Sequence, residues 1–289
     1  MEQVSVSIII VNYNAGEVLV NCLKSIQKYI QSIKYEIIIV DNCSTDDSVA
    51  LVKQNFPRLT IHKQENTGFG AGSNAGANLA QGEFLLFLNP DTLIKDDILF
   101  PLVELLEKEP KIGVVGPKIL NFDGTLQSSN HSVLSIWQEF LIKSKNNLDE
   151  ENISTQSEVS FVTGAAFFIR KKIFKLVGGF DERFFMYFED VDLCLRVKEQ
   201  GWKIIYAPQV SLVHIRGYSS RNISDLMTVE YRRSQIYYYQ KHRPLWEQTL
   251  LRIYLTSKFL IRATIKKKYL KIILLILNFK KYPLKINCD

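Results

Sequence analysis

A chain of 289 residues, 46% hydrophobic with 14 Gly and 8 Pro, holds enough apolar surface for one large α/β domain with an appendage or for two small domains, which excludes a disordered or repetitive protein. Its net charge of +6 is unevenly spread, because from Lys241 onward 12 Lys/Arg face only Glu247 and Asp289, leaving 24 of the 36 basic and 28 of the 30 acidic residues in the first 240. A mildly acidic body with a basic tail argues against nucleic acid as a partner of the whole protein and for an anionic partner of the tail, such as a phospholipid surface.

The chain starts in a strand pattern without a basic, apolar leader, and Cys22, Cys43, Cys194 and Cys288 show no C-x-x-C spacing, so a reducing cytoplasm is expected. Residues 6–11 form a β-branched apolar run, followed by the helical pattern Val18, Leu19, Cys22, Leu23, Ile26 and a second run at 37–40. A third strand is expected at 59–62, a Gly-rich turn and helix at 68–80, and a fourth strand at 84–88. This alternation predicts an α/β fold with a mostly parallel central sheet flanked by helices. The strands end in Asn12-Tyr13-Asn14, Asp41-Asn42 and Asn89-Pro90-Asp91, and in open parallel sheets such ends converge on one crevice. Residues 121–160 are polar and irregular apart from Ile136, Trp137, Phe140 and Leu141, which suggests a lid. A second block runs from an apolar strand at 161–169 through the Gly178-Gly179 turn to a helix at 190–200 and two strands at 203–206 and 210–214. From Met227 the pattern is helical and rich in Tyr, Leu and Lys, and its longest purely apolar run, 272–277, is far short of the roughly 20 residues that cross a bilayer.

Each strand end carries a chemical reading and a structural one. Asp41 can accept the imide N–H of uracil or thymine while Tyr13 offers a face for stacking; alternatively Asp41 and Ser44 cap a helix near Asp46. The turn from Asn66 to Asn74 leads into a helix whose free N–H groups favour phosphate, but it has neither a G-x-G-x-x-G nor a Gly-Lys-Ser/Thr pattern, and in isolation the structural turn is the favoured reading. Asp91 is either part of an ordinary Pro-Asp turn or a ligand for Mg²⁺ or Mn²⁺, which need only one or two carboxylates when substrate phosphates complete the shell. In Phe188-Glu189-Asp190-Val191-Asp192, crowding raises carboxylate pKa values and the helix dipole opposes this. Asp192 precedes Arg196 by four residues and reads as half of an ion pair, whereas Asp190 has no such partner. His214, followed by Arg216, Ser219, Ser220 and Arg221, is either a structural histidine or part of a metal shell beside a diphosphate site.

Taken together, Ser7-Ile8-Ile9-Ile10-Val11-Asn12-Tyr13-Asn14, Val40-Asp41-Asn42, the turn from Asn66 to Asn74, Asn89-Pro90-Asp91, Gly178-Gly179-Phe180-Asp181-Glu182 and Glu189-Asp190-Val191-Asp192-Leu193 resemble family 2 glycosyltransferases, and more narrowly their rhamnosyltransferase branch, over about residues 4–217. The resemblance implies a GT-A fold over 1–225, with a nucleotide-sugar half at 1–116 and an acceptor and catalytic half at 117–225, followed by a basic helical extension at 226–289. It implies that Tyr13 and Asp41 hold the nucleobase, with Asn12, Asn42, Gly68, Asn74, Asn89 and Arg216 also on the donor side. Asp91 matches the metal-binding end of a DXD-like triplet in which Asn89 replaces the first carboxylate, His214 matches a histidine of the metal shell, and Asp190 matches the catalytic base. The implied reaction is inverting transfer of rhamnose from dTDP-rhamnose, with a divalent metal, to a hydroxyl of a cell-surface or lipid-linked saccharide. A UDP-hexose donor, nucleotidyl transfer on a similar fold, and a non-catalytic saccharide-binding subunit are the alternatives.

In the tail, Lys258, Arg262 and Lys266 share a helical face, and Lys266-Lys267-Lys268 precede the 272–277 run. Such a combination suits an anionic membrane surface on the cytoplasmic side, or a helix docked on the body.

Overall fold

Strands β1 (Val6–Asn12) and β4 (Phe84–Leu88) are apolar almost throughout, a pattern that demands cover on both faces of a sheet, and every residue of both is buried. The computed structural model describes residues 4–127, 130–131, 155–215, 224–264 and 269–277. With β2 (Tyr35–Asp41) and β3 (Ile61–Lys63) these strands pair in parallel in the order β3-β2-β1-β4. They are linked by helices α1 (Gly16–Tyr29), α2 (Ser48–Asn55) and α3 (Phe69–Leu79).

Beyond β4 the same sheet continues through β10 (Ala166–Arg170), β6 (Ile112–Leu120), β11 (Lys203–His214) and the short β5 (Thr92–Ile94). β10 runs antiparallel to β4 and β6, and β5 and β8 (Ser157–Glu158) run antiparallel to β11, while the remaining strands share one direction. The sheet is therefore mostly parallel, as the alternation predicts. A separate pair joins β7 (Asn130–His131) and β9 (Phe161–Val162).

Strand alternation sorts the core into two layers. Ile8, Ile10, Leu86 and Phe168 pack against Leu19 and Leu23 of α1 and Leu102 and Leu106 of α4 (Leu99–Lys108). Ile9, Phe87, Phe167 and Ile169 face α5 (Lys171–Leu176) and α6 (Glu189–Glu199). The second layer is thickened by α7 (Ser224–His242), α8 (Leu245–Ala263) and α9 (Leu270–Leu277), which contribute Tyr238, Leu255, Phe259 and Ile273 to it.

Two expectations change. The run 161–169 is not one strand: it breaks at Thr163, Gly164 and Ala165, whose main chain turns to serve the site described below. The runs 203–206 and 210–214 are one strand with a register shift between Ala207 and Ser211, because Pro208 has no N–H to pair there. In the tail, Ile272, Ile273 and Ile276 turn inward, which fits a helix docked on the body, while Leu274 is 59% exposed. Ile136, Trp137, Phe140 and Leu141 of the expected lid, with Lys266, Lys267 and Lys268, lie outside the described residues. Among the described residues no helix is long and apolar enough to cross a membrane.

Candidate active site

Parallel pairing puts Asn12 directly opposite Asp41 at the carboxyl ends of β1 and β2. Asn12 Nδ2 donates to Asp41 Oδ1 at 2.7 Å and to Ser48 Oγ at 2.9 Å, so a fully buried amide sets the plane of the carboxylate. Asp41 Oδ2 accepts the Ser44 N–H at 3.3 Å. Asp41 does not cap α2; the first N–H of that helix, from Ser48, goes to Asp46. Tyr13, next along, is half-buried.

The Gly-rich turn is held from two sides. Asn42 Nδ2 donates to the Gly68 carbonyl at 2.9 Å, and Phe69 N donates to the Phe185 carbonyl at 2.9 Å. Gly68 has φ +111°, and a Cβ there would lie 2.3 Å from the Phe185 carbonyl oxygen, so both its conformation and its surroundings require glycine. Asn74 is committed elsewhere: its amide exchanges two 2.9 Å hydrogen bonds with the main chain of Phe180 and donates a third to Glu182. Asn42, Gly68 and Asn74 thus tie α3 to the end of β2 and to the turn that leads into α6.

At the other side of β4, short strand β5 brings the next two candidates together. Thr92 pairs with His214, and Ile215 N donates to the Asp91 carbonyl at 2.9 Å. Asp91 Oδ1 and His214 Nε2 lie 3.2 Å apart, and both side chains are largely buried. Asn89 Nδ2 is 3.3 Å from the same imidazole nitrogen. The other ring nitrogen, Nδ1, is 2.7 Å from Oε1 of Gln127, a buried residue that nothing in the irregular 121–160 sequence marks out. Among the described residues no group of three or more His, Cys, Asp or Glu forms a self-sufficient metal cage. Arg216 lies outside the described residues.

Asp190 stands in the first turn of α6. Its Oδ2 accepts the Gly164 N–H at 2.8 Å and its Oδ1 the Val191 N–H at 2.8 Å. The neighbouring Ala165 carbonyl accepts the Asn89 N–H at 3.0 Å, so the break in the 161–169 run links Asp190 to the Asn89-Pro90-Asp91 turn. The approach to α6 is strained: Tyr187 and Phe188 both have φ 70°, a left-handed conformation costing roughly 1–3 kcal/mol each for non-glycine residues. Packing holds it there, through Phe188 against Tyr231 and Tyr238, and through Ser234 Oγ donating to the Met186 carbonyl at 2.7 Å.

The neighbouring acids diverge. Burial, reinforced by the charges of Asp190 and Glu230, pushes the Glu189 carboxyl well above its usual range, and among the described residues its Oε2 has no hydrogen-bond partner. Asp192 is also desolvated, but His242, Arg196 and Lys241 outweigh that and hold it below the ordinary carboxylate range. The expected Asp192–Arg196 pair is present, with Arg196 Nε donating at 2.8 Å.

Residues 7–178, more than half of the chain, match the sequence model of glycosyl transferase family 2. The chain belongs to that family. This glycosyltransferase is similar over 90% of its length to the N-acetylglucosaminyl-diphospho-decaprenol L-rhamnosyltransferase of Mycobacterium tuberculosis, at 25% identity and 94% coverage of that protein. It is 28% identical to rhamnosyltransferase WbbL of Escherichia coli K12 over 65% of its own length and 75% of that protein. Among solved structures, mannosyltransferase PcManGT from Pyrobaculum calidifontis, in complex with GDP-Man and Mn²⁺, aligns with TM-score 0.59 at 16% identity, covering 97% of this glycosyltransferase and 89% of that chain. GalNAc-T7 with UDP, GalNAc and Mn²⁺ aligns with TM-score 0.59 at 18% identity, over 82% of this chain and 50% of that one. These structural likenesses establish the fold, which is GT-A.

Proposed function

We propose that this glycosyltransferase moves rhamnose from dTDP-rhamnose, with inversion, to a hydroxyl of a lipid-linked or cell-surface saccharide. The observation that carries the reading is the main-chain link that joins the Asp190 carboxylate, through Gly164 and Ala165, to the turn bearing Asp91. It ties a candidate base to a candidate diphosphate site. The similarity to rhamnosyltransferases supports the sugar.

Asp41, its plane set by Asn12, keeps lone pairs for the imide N–H of thymine, with Tyr13 stacking on the ring. Asp190, oriented by the two N–H groups it accepts, takes the proton of the acceptor hydroxyl as that oxygen attacks the anomeric carbon opposite the departing nucleoside diphosphate. A single displacement inverts the configuration and needs no covalent intermediate. Asp91 and His214 suit a divalent cation: their 3.2 Å separation is close to the roughly 3 Å between adjacent ligands of an octahedral ion with bonds of about 2.1 Å. Mg²⁺ or Mn²⁺ held there, with diphosphate oxygens and water completing the shell, would neutralise charge on the leaving group. Arg216 is assigned a supporting contact to the same diphosphate.

The reading extends to the cytoplasmic face of a membrane, where a lipid-linked acceptor would be met. What supports it is the outer face of α8, where Trp246, Leu250, Ile253, Leu260 and Ile261 are 39–69% exposed within a strongly basic segment.

The full chain should be offered dTDP-rhamnose and a panel of UDP-hexoses, with and without Mn²⁺ or Mg²⁺, while nucleoside diphosphate release is measured. Release from dTDP-rhamnose is expected; turnover of UDP-hexoses alone would overturn the sugar assignment, and pyrophosphate as product would overturn the reaction class. Asp190→Asn should cut transfer by about 10²–10⁴-fold while leaving donor binding intact; unchanged turnover would remove Asp190 from the mechanism.

A further inference from the structure

We infer that Gln127 is a positioning residue that fixes the tautomer of His214, so that the imidazole presents a lone pair at Nε2 beside Asp91. The inference rests on the divalent-cation reading above and assigns a part to a residue outside the cation's own contacts.

A directional chain of hydrogen bonds imposes the tautomer. The Asp123 carboxylate only accepts, and it takes the Thr125 hydroxyl hydrogen at 2.6 Å. Thr125 Oγ1 therefore accepts from Asn121 Nδ2 at 2.9 Å, which leaves Asn121 Oδ1 to accept from Gln127 Nε2 at 2.8 Å. Gln127 Nε2 also faces the His214 carbonyl oxygen, an acceptor, at 3.3 Å. With the amide nitrogen placed by two acceptors, it is Gln127 Oε1 that meets His214 Nδ1 at 2.7 Å. A carbonyl oxygen cannot donate, so Nδ1 carries the hydrogen, and in the neutral ring Nε2 is then the bare nitrogen.

That bare nitrogen lies 3.2 Å from Asp91 Oδ1, with Asn89 Nδ2 at 3.3 Å. Two acceptors so close repel unless positive charge lies against both, and a divalent cation bonded to the two supplies it. The opposite tautomer would place an N–H in that gap, donate it to Asp91, and close both ligands to the ion. Gln127 is 4% exposed, so water does not readily take over its part. Residues that orient a metal-binding histidine in this manner typically change metal affinity by about 10–100-fold when replaced.

The test uses the full chain with dTDP and Mn²⁺, following free Mn²⁺ by electron paramagnetic resonance. Gln127→Leu should weaken Mn²⁺ binding about 10–100-fold while the chain stays folded at the assay temperature, as circular dichroism checks. Gln127→Glu keeps an acceptor at Nδ1 but sets its other oxygen against Asn121 Oδ1 and the His214 carbonyl, and should recover part of the binding lost in Gln127→Leu. Independently, long-range ¹H–¹⁵N spectra of the metal-free, histidine-labelled protein, with His214 assigned by its loss in His214→Asn, should show the Nδ1–H form in the parent and its loss in Gln127→Leu. A parent that binds no Mn²⁺ overturns the cation reading itself. A parent that binds while Gln127→Leu binds equally well, or a parent whose His214 carries its hydrogen on Nε2, overturns only the part assigned to Gln127.

Discussion

Glu230 shows how burial sets protonation at a single residue. It is 1% exposed, its Oε1 has no hydrogen-bond partner among the described residues, and desolvation pushes its carboxyl from 4.5 up to about 7 despite Arg233 nearby. Folding therefore raises its affinity for a proton, so its contribution to stability is fully present below about pH 4.5 and is lost as pH rises through about 7. Glu189 shifts in the same direction. Glu230→Gln removes the group that must either hold a proton or be charged in the core. Thermal melts between pH 5 and 8 should show the parent falling relative to this variant as pH rises; parallel curves would contradict the shift.

At the scale of elements, α6 is locked to α7 by charge. Asp192, with a fully buried side chain, meets Arg196 at 2.7 Å, Lys241 at 2.5 Å and His242 at 2.7 Å. Lys241 also reaches Asp181 at 2.7 Å, and Tyr237 donates to the same oxygen at 3.0 Å. Replacing Asp192 by Ala leaves the largely buried Arg196 without this anion, while Lys241 keeps Asp181, and loss of one member of a buried pair costs about 3–5 kcal/mol. Urea denaturation should register that loss. Lys108→Ala is the contrast: its Glu104 partner is 2.8 Å away, but the two side chains are 68% and 44% exposed, and such pairs contribute at most about 1 kcal/mol. Equal costs for both variants would refute the distinction.

Across the whole molecule, the C-terminal helices have two unlike sides. Leu251, Leu255 and Phe259 of α8 lie in the core with Ile272, Ile273 and Ile276 of α9, whereas Trp246, Ile253 and Leu260 face outward. The exposed apolar side is therefore on α8, while Ile272, Ile273 and Ile276 of α9 seal the body. Full-length protein should float with vesicles containing phosphatidylglycerol and show a blue shift of Trp246 fluorescence. Ile253→Asp with Leu260→Asp should abolish both while donor hydrolysis is unchanged. If the parent ignores vesicles and elutes as a dimer that these substitutions break, the face belongs to a second copy.

The sequence by itself determined the parallel half of the sheet and the places where Asp41, Asp91, Asp190 and His214 would stand. Apolar runs report which segments are buried, and the parallel pairing of β1, β2 and β4 leaves their carboxyl ends at one edge. The Asp192–Arg196 pair was legible for the same reason, since one turn of helix is local information. Tertiary structure alone decided the rest. Gln127 stands 87 residues before His214 and His242 stands 50 after Asp192, separations over which periodicity carries no register. The break at Gly164 is likewise invisible, because its cause is an N–H given to Asp190 26 residues away instead of to a neighbouring strand. Periodicity tells how a face is buried but not against what, so the inward turn of α9 and the outward apolar face of α8 followed only from packing.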